Sequence, residues 1–134
     1  MLRALNKEMA VKVTRPERII QFGEGNFLRA FVDWIISNMN EKAGFDSSVV
    51  VVQPIEKGMI EALNRQDCLY HVNLQGLEDG EVVNSYRLID VISRAISPYA
   101  DFGAFLQLAE QPEMRFVISN TTEAGIAFDP SCRL

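Results

Sequence analysis

The sequence predicts an α/β fold: a doubly wound parallel sheet with a β-hairpin inserted into it. Three observations point there. The hydrophobic period changes from that of a strand to that of a helix across a glycine turn at 23–25. Four consecutive valines at 49–52 are apolar on both faces, as in a strand covered by helices on both sides of a parallel sheet. Two extended segments flank Asp79-Gly80, a dipeptide suited to a tight hairpin turn.

Taken in chain order, a polar lead-in over 1–17 comes first. Residues 18–22 then read as a short strand that runs into Gly23-Glu24-Gly25-Asn26. From Asn26 the apolar residues Phe27, Phe31, Ile35 and Met39 recur at helical spacing, with Arg29, Asp33, Ser37 and Glu41 on the opposite stripe. The spacing predicts an amphipathic helix whose aromatic group, Phe27, Phe31, Trp34 and Ile35, belongs to the core. Gly44 lies where such a helix needs a left-handed exit.

Residues 48–52 form the central strand. Pro54 ends it, and Met59, Ile60 and Leu63 mark a helix over about 56–66. Tyr70, Val72 and Leu74 alternate with polar neighbours and open the hairpin, whose second arm runs over 82–89. Ser97-Pro98 reads as the start of a helix in which Phe102, Phe105, Leu106 and Ala109 share one face, closed by Pro112. A last strand at 115–119 delivers Asn120-Thr121-Thr122-Glu123 to the carboxyl edge of the sheet, where doubly wound folds bind ligands.

Composition narrows the function. A chain of 134 residues fits one domain, and 48% hydrophobic with 23% charged residues is ordinary for a globular protein. With 13 Lys+Arg against 18 Asp+Glu the net charge is −5, without a basic cluster to neutralise phosphates, so no nucleic-acid partner is expected. No apolar run approaches the ~18 residues of a membrane helix, and the scattered charges of the first twelve residues argue against a secretory leader. Two cysteines make no disulfide framework, and the expected setting is soluble, reducing and cytoplasmic.

The sharpest motif is Gly23-Glu24-Gly25-Asn26-Phe27-Leu28 between a strand and a helix. Its glycines allow a tight turn and close approach of a pyrophosphate, with helix amides facing the anion. Leu28 stands at the third glycine position of the Rossmann dinucleotide fingerprint, and an ordinary glycine turn in a βαβ unit is the competing reading. An acidic residue about 20 residues beyond the glycines commonly accepts from the ribose of NAD. Here the strand ends at Gln53, with Glu56 and Lys57 close by, so NAD is only weakly favoured over NADP. Asn120 is either a contact to the cofactor's ribose or nicotinamide end, or a turn-forming residue. Cys68-x-x-His71 lacks a second ligand pair and reads as a buried cysteine beside an exposed strand histidine; no metal site is expected.

The stretch Ile19-Ile20-Gln21-Phe22-Gly23-Glu24-Gly25-Asn26-Phe27-Leu28-Arg29-Ala30-Phe31 closely resembles the opening of sugar-acid reductases of the mannitol dehydrogenase family. Val51-Val52-Gln53-Pro54-Ile55-Glu56, Gln66-Asp67 with Leu69-Tyr70, and Met114-Arg115-Phe116 leading to Ser119-Asn120-Thr121-Thr122-Glu123-Ala124-Gly125-Ile126 agree with it. The resemblance implies a Rossmann-like domain over 18–134, truncated at its carboxyl end. It also implies NAD as cofactor and a sugar-acid substrate, reduced by reversible hydride transfer. G-x-G-x-F-x-R-A serves as that family's fingerprint, which assigns cofactor contact to Ile19, Ile20, Gln21, Phe22, Gly23, Glu24, Gly25, Asn26, Phe27, Leu28, Arg29 and Ala30; Gln53 and Asn120 complete the expected set. The family's catalytic lysine, asparagine and histidine belong to a carboxyl-terminal, mainly helical domain. No catalytic residue is therefore expected in this chain; the alternatives are a fructuronate reductase or a mannitol dehydrogenase, which only substrate-domain residues distinguish, or a catalytically silent nucleotide-binding module.

Overall fold

A computed structural model describes residues 5–132. Its body is a four-stranded parallel sheet built from β1 (Glu17–Phe22), β2 (Ser48–Val52), β5 (Ile92–Ile96) and β6 (Phe116–Ser119), in the order β5-β2-β1-β6. The hairpin strands β3 (Tyr70–Glu78) and β4 (Glu81–Ile89) form a separate antiparallel pair between β2 and β5. The chain thus builds outward from β1 to one side and then jumps to the other. The crevice outside the carboxyl ends of β1 and β6 is the topological switch point.

The valines of β2 are completely buried. Val49 and Val51 pack with Ile19, Ile36, Leu63, Tyr70, Val72, Ile89 and Ile92 on the face covered by α1 (Asp33–Ala43), α2 (Ile60–Arg65) and the hairpin. Val50 and Val52 join Ile20 and Leu108 on the other face, beneath α3 (Phe102–Gln107) and the short 3-10 turn after it. A strand that is apolar all round thus meets an apolar layer on each side.

Three expectations need correction. The helix after the glycine turn forms, and Gly44 ends it in the left-handed conformation (φ 61°), but its faces are exchanged. Phe27, Phe31, Ile35 and Met39 are exposed, Trp34 is half-buried, and Asp33 and Ser37 are buried. The cause is a π-turn over Leu28–Val32, where the Asp33 N–H donates to the Leu28 carbonyl five residues back. With Leu28 anchored inward, an uninterrupted α-helix would bring Ile35 and Met39 inward at spacings of seven and eleven. The wider turn advances the inward face by one residue, to Asp33, Ile36 and Ser37.

The helix expected over 56–66 starts only at Ile60. Gln53 Nε2 donates to the Ile55 and Glu56 carbonyls (2.9 and 3.2 Å), holding 54–59 as a loop, and its Oε1 accepts from the Ile60 N–H. The helix expected from Ser97-Pro98 starts at Phe102, capped by Asp101 Oδ1 accepting from the Ala104 N–H at 2.9 Å. It turns Phe105 and Leu108 inward and leaves Phe102, Leu106 and Ala109 exposed. Strand β5 was not expected at all. Its apolar positions Ile92 and Ala95, with Val91 just before it, are buried, and Ser93 and Arg94 between them masked the pattern.

Candidate nucleotide site

Sheet register brings four segments to one edge. Phe22 is level with Val52 on one side and Ser119 on the other, so Gly23, Gln53 and Asn120 leave neighbouring strands together. The Gly23 N–H donates to the Val52 carbonyl and the Gln53 N–H to the Ile96 carbonyl, both at 2.9 Å, which carries the same edge on to Ser97.

The two glycines of the turn do different things. Gly23 has φ 122°, a conformation that residues with a Cβ rarely adopt. Gly25 is exposed and faces open space: a Cβ built there meets no atom within 4 Å. Such a cradle in front of a helix start, where the first amides lack intrahelical partners, fits a pyrophosphate.

Arg29 fixes the turn from behind. Its Nε donates to the Glu24 carbonyl (2.8 Å), its Nη2 to Asn26 Oδ1 (2.7 Å), and its guanidinium lies 5.3 Å from the centre of the Tyr70 ring. The Tyr70 hydroxyl in turn lies 2.9 Å from the Arg29 carbonyl.

Beneath the turn lies a buried polar group that the sequence did not announce. Gln21 and Asp33 are wholly buried; Gln21 Nε2 donates to the Gly23 carbonyl (3.2 Å), with Asp33 Oδ2 at 3.5 Å. Among the described residues, Gln21 Oε1 and Asp33 Oδ1 have no partner. Burial pushes the Asp33 carboxyl up to about 6 against the opposing hydrogen bonds from Tyr70 and Gln21. Burial and the adjacent Asp33 charge push the Tyr70 phenol far above its ordinary range.

Two clefts flank the edge on the β5 side. One, of about 400 Å³, is a mostly apolar slot between Phe22, Val52, Pro54, Pro98, Tyr99 and Phe102. The other, of about 530 Å³, is polar and includes Glu56, Lys57, Gly58, Glu61, Ser97 and Tyr99. The slot residues from the β5–α3 connection were missed because that strand was missed.

Of the expected contacts, Gly23, Glu24, Gly25, Asn26 and Phe27 surround the turn, and Asn120 is exposed beside it after β6. Phe22 borders the apolar slot. Ile19, Ile20 and Gln21 are buried within the sheet and Leu28 beneath the helix, so they support the turn instead of facing a ligand. Ala30 is exposed, in a small recess with Asn26, Tyr70 and His71. Gln53 borders both clefts but is only 3% exposed, and its amide already serves the loop. Cys68 is buried and His71 exposed on β3.

Residues 17–132 match the model of the mannitol dehydrogenase Rossmann domain. Altronate oxidoreductases from Phocaeicola vulgatus and Bacteroides thetaiotaomicron are 77% and 76% identical to the chain over 133 residues, and that of Bacillus subtilis 49% over 134. Each alignment covers 99% of this chain and 28% of the relative, so the chain spans little more than a quarter of these proteins. Among solved structures, Pseudomonas fluorescens mannitol 2-dehydrogenase in ternary complex with NAD and D-mannitol superposes with a TM-score of 0.74. The two are 25% identical, with 92% of this chain and 27% of that one covered. A substrate-free D-sorbitol dehydrogenase gives a TM-score of 0.75 at 22% identity, covering 96% and 29%.

Proposed function

This chain belongs to the mannitol dehydrogenase family through its Rossmann domain, and from that premise we propose that it is the NAD-binding part of an altronate oxidoreductase. The whole protein would interconvert D-altronate and D-tagaturonate, with NAD+ and NADH, in cytoplasmic hexuronate breakdown. Residues 1–17 are the lead-in and 18–134 the nucleotide domain. The substrate assignment rests on relatives at 76–77% identity that carry that name.

The observation that carries the cofactor reading is the bare, open Cα of Gly25 at the switch point of the sheet. When bound, the nicotinamide ring supplies or accepts the hydride. The chain's own residues bind and orient the cofactor. Gly23 and Gly25 admit the pyrophosphate to the backbone, and amides at 26–28 donate to it. The slot of Pro54, Tyr99 and Phe102 takes the adenine face, and Asn120 and Phe27 lie toward the nicotinamide side. Arg29, Gln21 and Asp33 hold the turn in shape, which limits the ordering that binding must impose.

Calorimetric titration of the chain with NADH, repeated by fluorescence of Trp34, its single tryptophan, tests the reading. Saturable one-to-one binding is expected. A folded chain that binds no dinucleotide overturns the proposal and leaves a silent module.

A further inference from the structure

Strand β2 ends without the acid that dinucleotide sites place there for the ribose. Gln53 cannot stand in, because its Nε2 serves two carbonyls and its Oε1 the Ile60 N–H. A carboxylate nevertheless reaches this spot from the turn after β1. Glu24, between the two glycines of the turn, is only 7% exposed, and its Oε1 lies over the Cα of Gly58 beside Gln53 Oε1. A methyl group on Gly58 would collide with both side chains, so the missing Cβ makes the room that Glu24 fills. Gly58 borders the polar cleft of about 530 Å³.

Among the described residues no donor engages the Glu24 carboxylate. It is also absent from the sealed, partnerless atoms of the interior, which are Gln21 Oε1, Asp33 Oδ1 and Trp34 Nε1. An almost buried carboxylate with open lone pairs, set against the Gly58 backbone that borders the cleft, is costly unless a ligand donates to it.

We propose that Glu24 accepts from the 2′- and 3′-hydroxyls of the adenosine ribose and thereby selects NAD(H) over NADP(H). The assignment deepens the dinucleotide reading and rests on it. A vicinal diol offers two O–H donors to one carboxylate, which suits both oxygens. A 2′-phosphate would bring negative charge against Glu24 in a cleft already bordered by Glu56 and Glu61, with Lys57 the only basic residue on its wall. The Arg29 guanidinium lies on the backbone side of Glu24, where it binds the carbonyl. Specificity thus comes from the first glycine turn, and the end of β2 is free to cap α2.

The test compares dissociation constants of NADH and NADPH for the parent chain and Glu24→Gln, with circular dichroism to show that both are folded. Loss of a charge-assisted pair of hydrogen bonds should weaken NADH by about tenfold or more. NADPH should bind as well as before or better, so the preference for NADH falls by at least that factor. A folded variant that keeps the parent's ratio overturns the assignment. Should the variant misfold, the parent alone decides: ADP-ribose must bind more tightly than its 2′-deoxy analogue, and equal affinity overturns the proposal. A parent that binds neither dinucleotide sinks the wider reading and this one with it. A parent that binds NADH beside an indifferent Glu24→Gln sinks this one only.

Discussion

The Tyr70 hydroxyl lies 3.0 Å from Asp33 Oδ2, tying the first strand of the hairpin to the helix that follows the glycine turn. The hydroxyl also lies 2.9 Å from the Arg29 carbonyl, so its one proton faces two acceptors. A proton on Asp33 resolves the conflict, since the carboxyl then donates to Tyr70 while Tyr70 donates to Arg29.

Stability should follow that proton. The Asp33 pKa is about 6 in the folded chain against an ordinary 3.8. The folded state therefore holds the proton more tightly, and this contribution to stability is complete below pH ~4 and is lost as pH rises to ~6. Asn cannot ionise and escapes that loss. Asp33→Asn should gain on the parent between pH 4.5 and pH 8, by on the order of 2–3 kcal/mol. Urea unfolding at the two pH values checks this, and a constant difference would place the titration elsewhere. Tyr70→Phe, which removes a buried donor, should lose about 1–3 kcal/mol at pH 7.

The two glycines of the turn should separate stability from binding. Gly25→Val meets no neighbour in the free protein and should unfold within about 0.5 kcal/mol of the parent while losing NADH. Gly23→Ala places a Cβ at φ 122° and 3.1 Å from Leu28 Cδ1, and should lose roughly 1–3 kcal/mol. Thermal melts paired with titration distinguish the two outcomes.

Substituting Gln53 should act on the fold. Gln53→Leu strands the Ile55 and Glu56 carbonyls and the Ile60 N–H, and should lower stability by about 2 kcal/mol. Gln53→Arg should likewise destabilise without creating a preference for NADPH. A stable Gln53→Arg with reversed preference would show that residue 53 reads the ribose after all.

The exposed stripe on α1 gives a direct test of helix phase. Phe31 and Ile35 are 53% and 37% exposed, so Phe31→Lys and Ile35→Lys should change stability by no more than about 0.5 kcal/mol. Buried aromatic and aliphatic side chains would lose roughly 3 kcal/mol or more. The same variants should reduce self-association in light scattering, because they break a contiguous apolar patch.

The chain alone should bind NADH yet leave D-tagaturonate unreduced. Hydride transfer needs a carbonyl held close to its donor and a stabilised alkoxide. The family resemblance implies a lysine, an asparagine and a histidine for that work and places them in a carboxyl-terminal, mainly helical domain. An NADH-oxidation assay with saturating sugar acid checks this; measurable turnover would direct attention to His71 and Glu123.

Much of the architecture was legible because its signals are local. The turn at Gly23 to Gly25, the valine strand and the Asp79-Gly80 hairpin each declare themselves within a few residues. What escaped depends on distant partners. Strand β5 alternates imperfectly, because Arg94 bonds Glu17 and Ser93 bonds the Val49 carbonyl, polar contacts visible only once the sheet exists. Gln53 looked like a ligand contact because its type and place fit one, and only the path of 54–59 shows its amide already occupied. Asp33 looked like solvent-facing charge until the π-turn and Tyr70 gave it an interior address.

That π-turn ties the phase of the helix to its length. Deleting one residue within 29–32 would restore a regular helical repeat and keep the inward face, because Asp33 and Ile36 would then stand four and seven positions after Leu28. Closing the turn at unchanged length would instead swing Asp33 and Ser37 to solvent, turn Ile35 and Met39 inward and part the link from Tyr70. When related sequences are aligned through this helix, a gap of one position therefore carries more structural meaning than several mismatches.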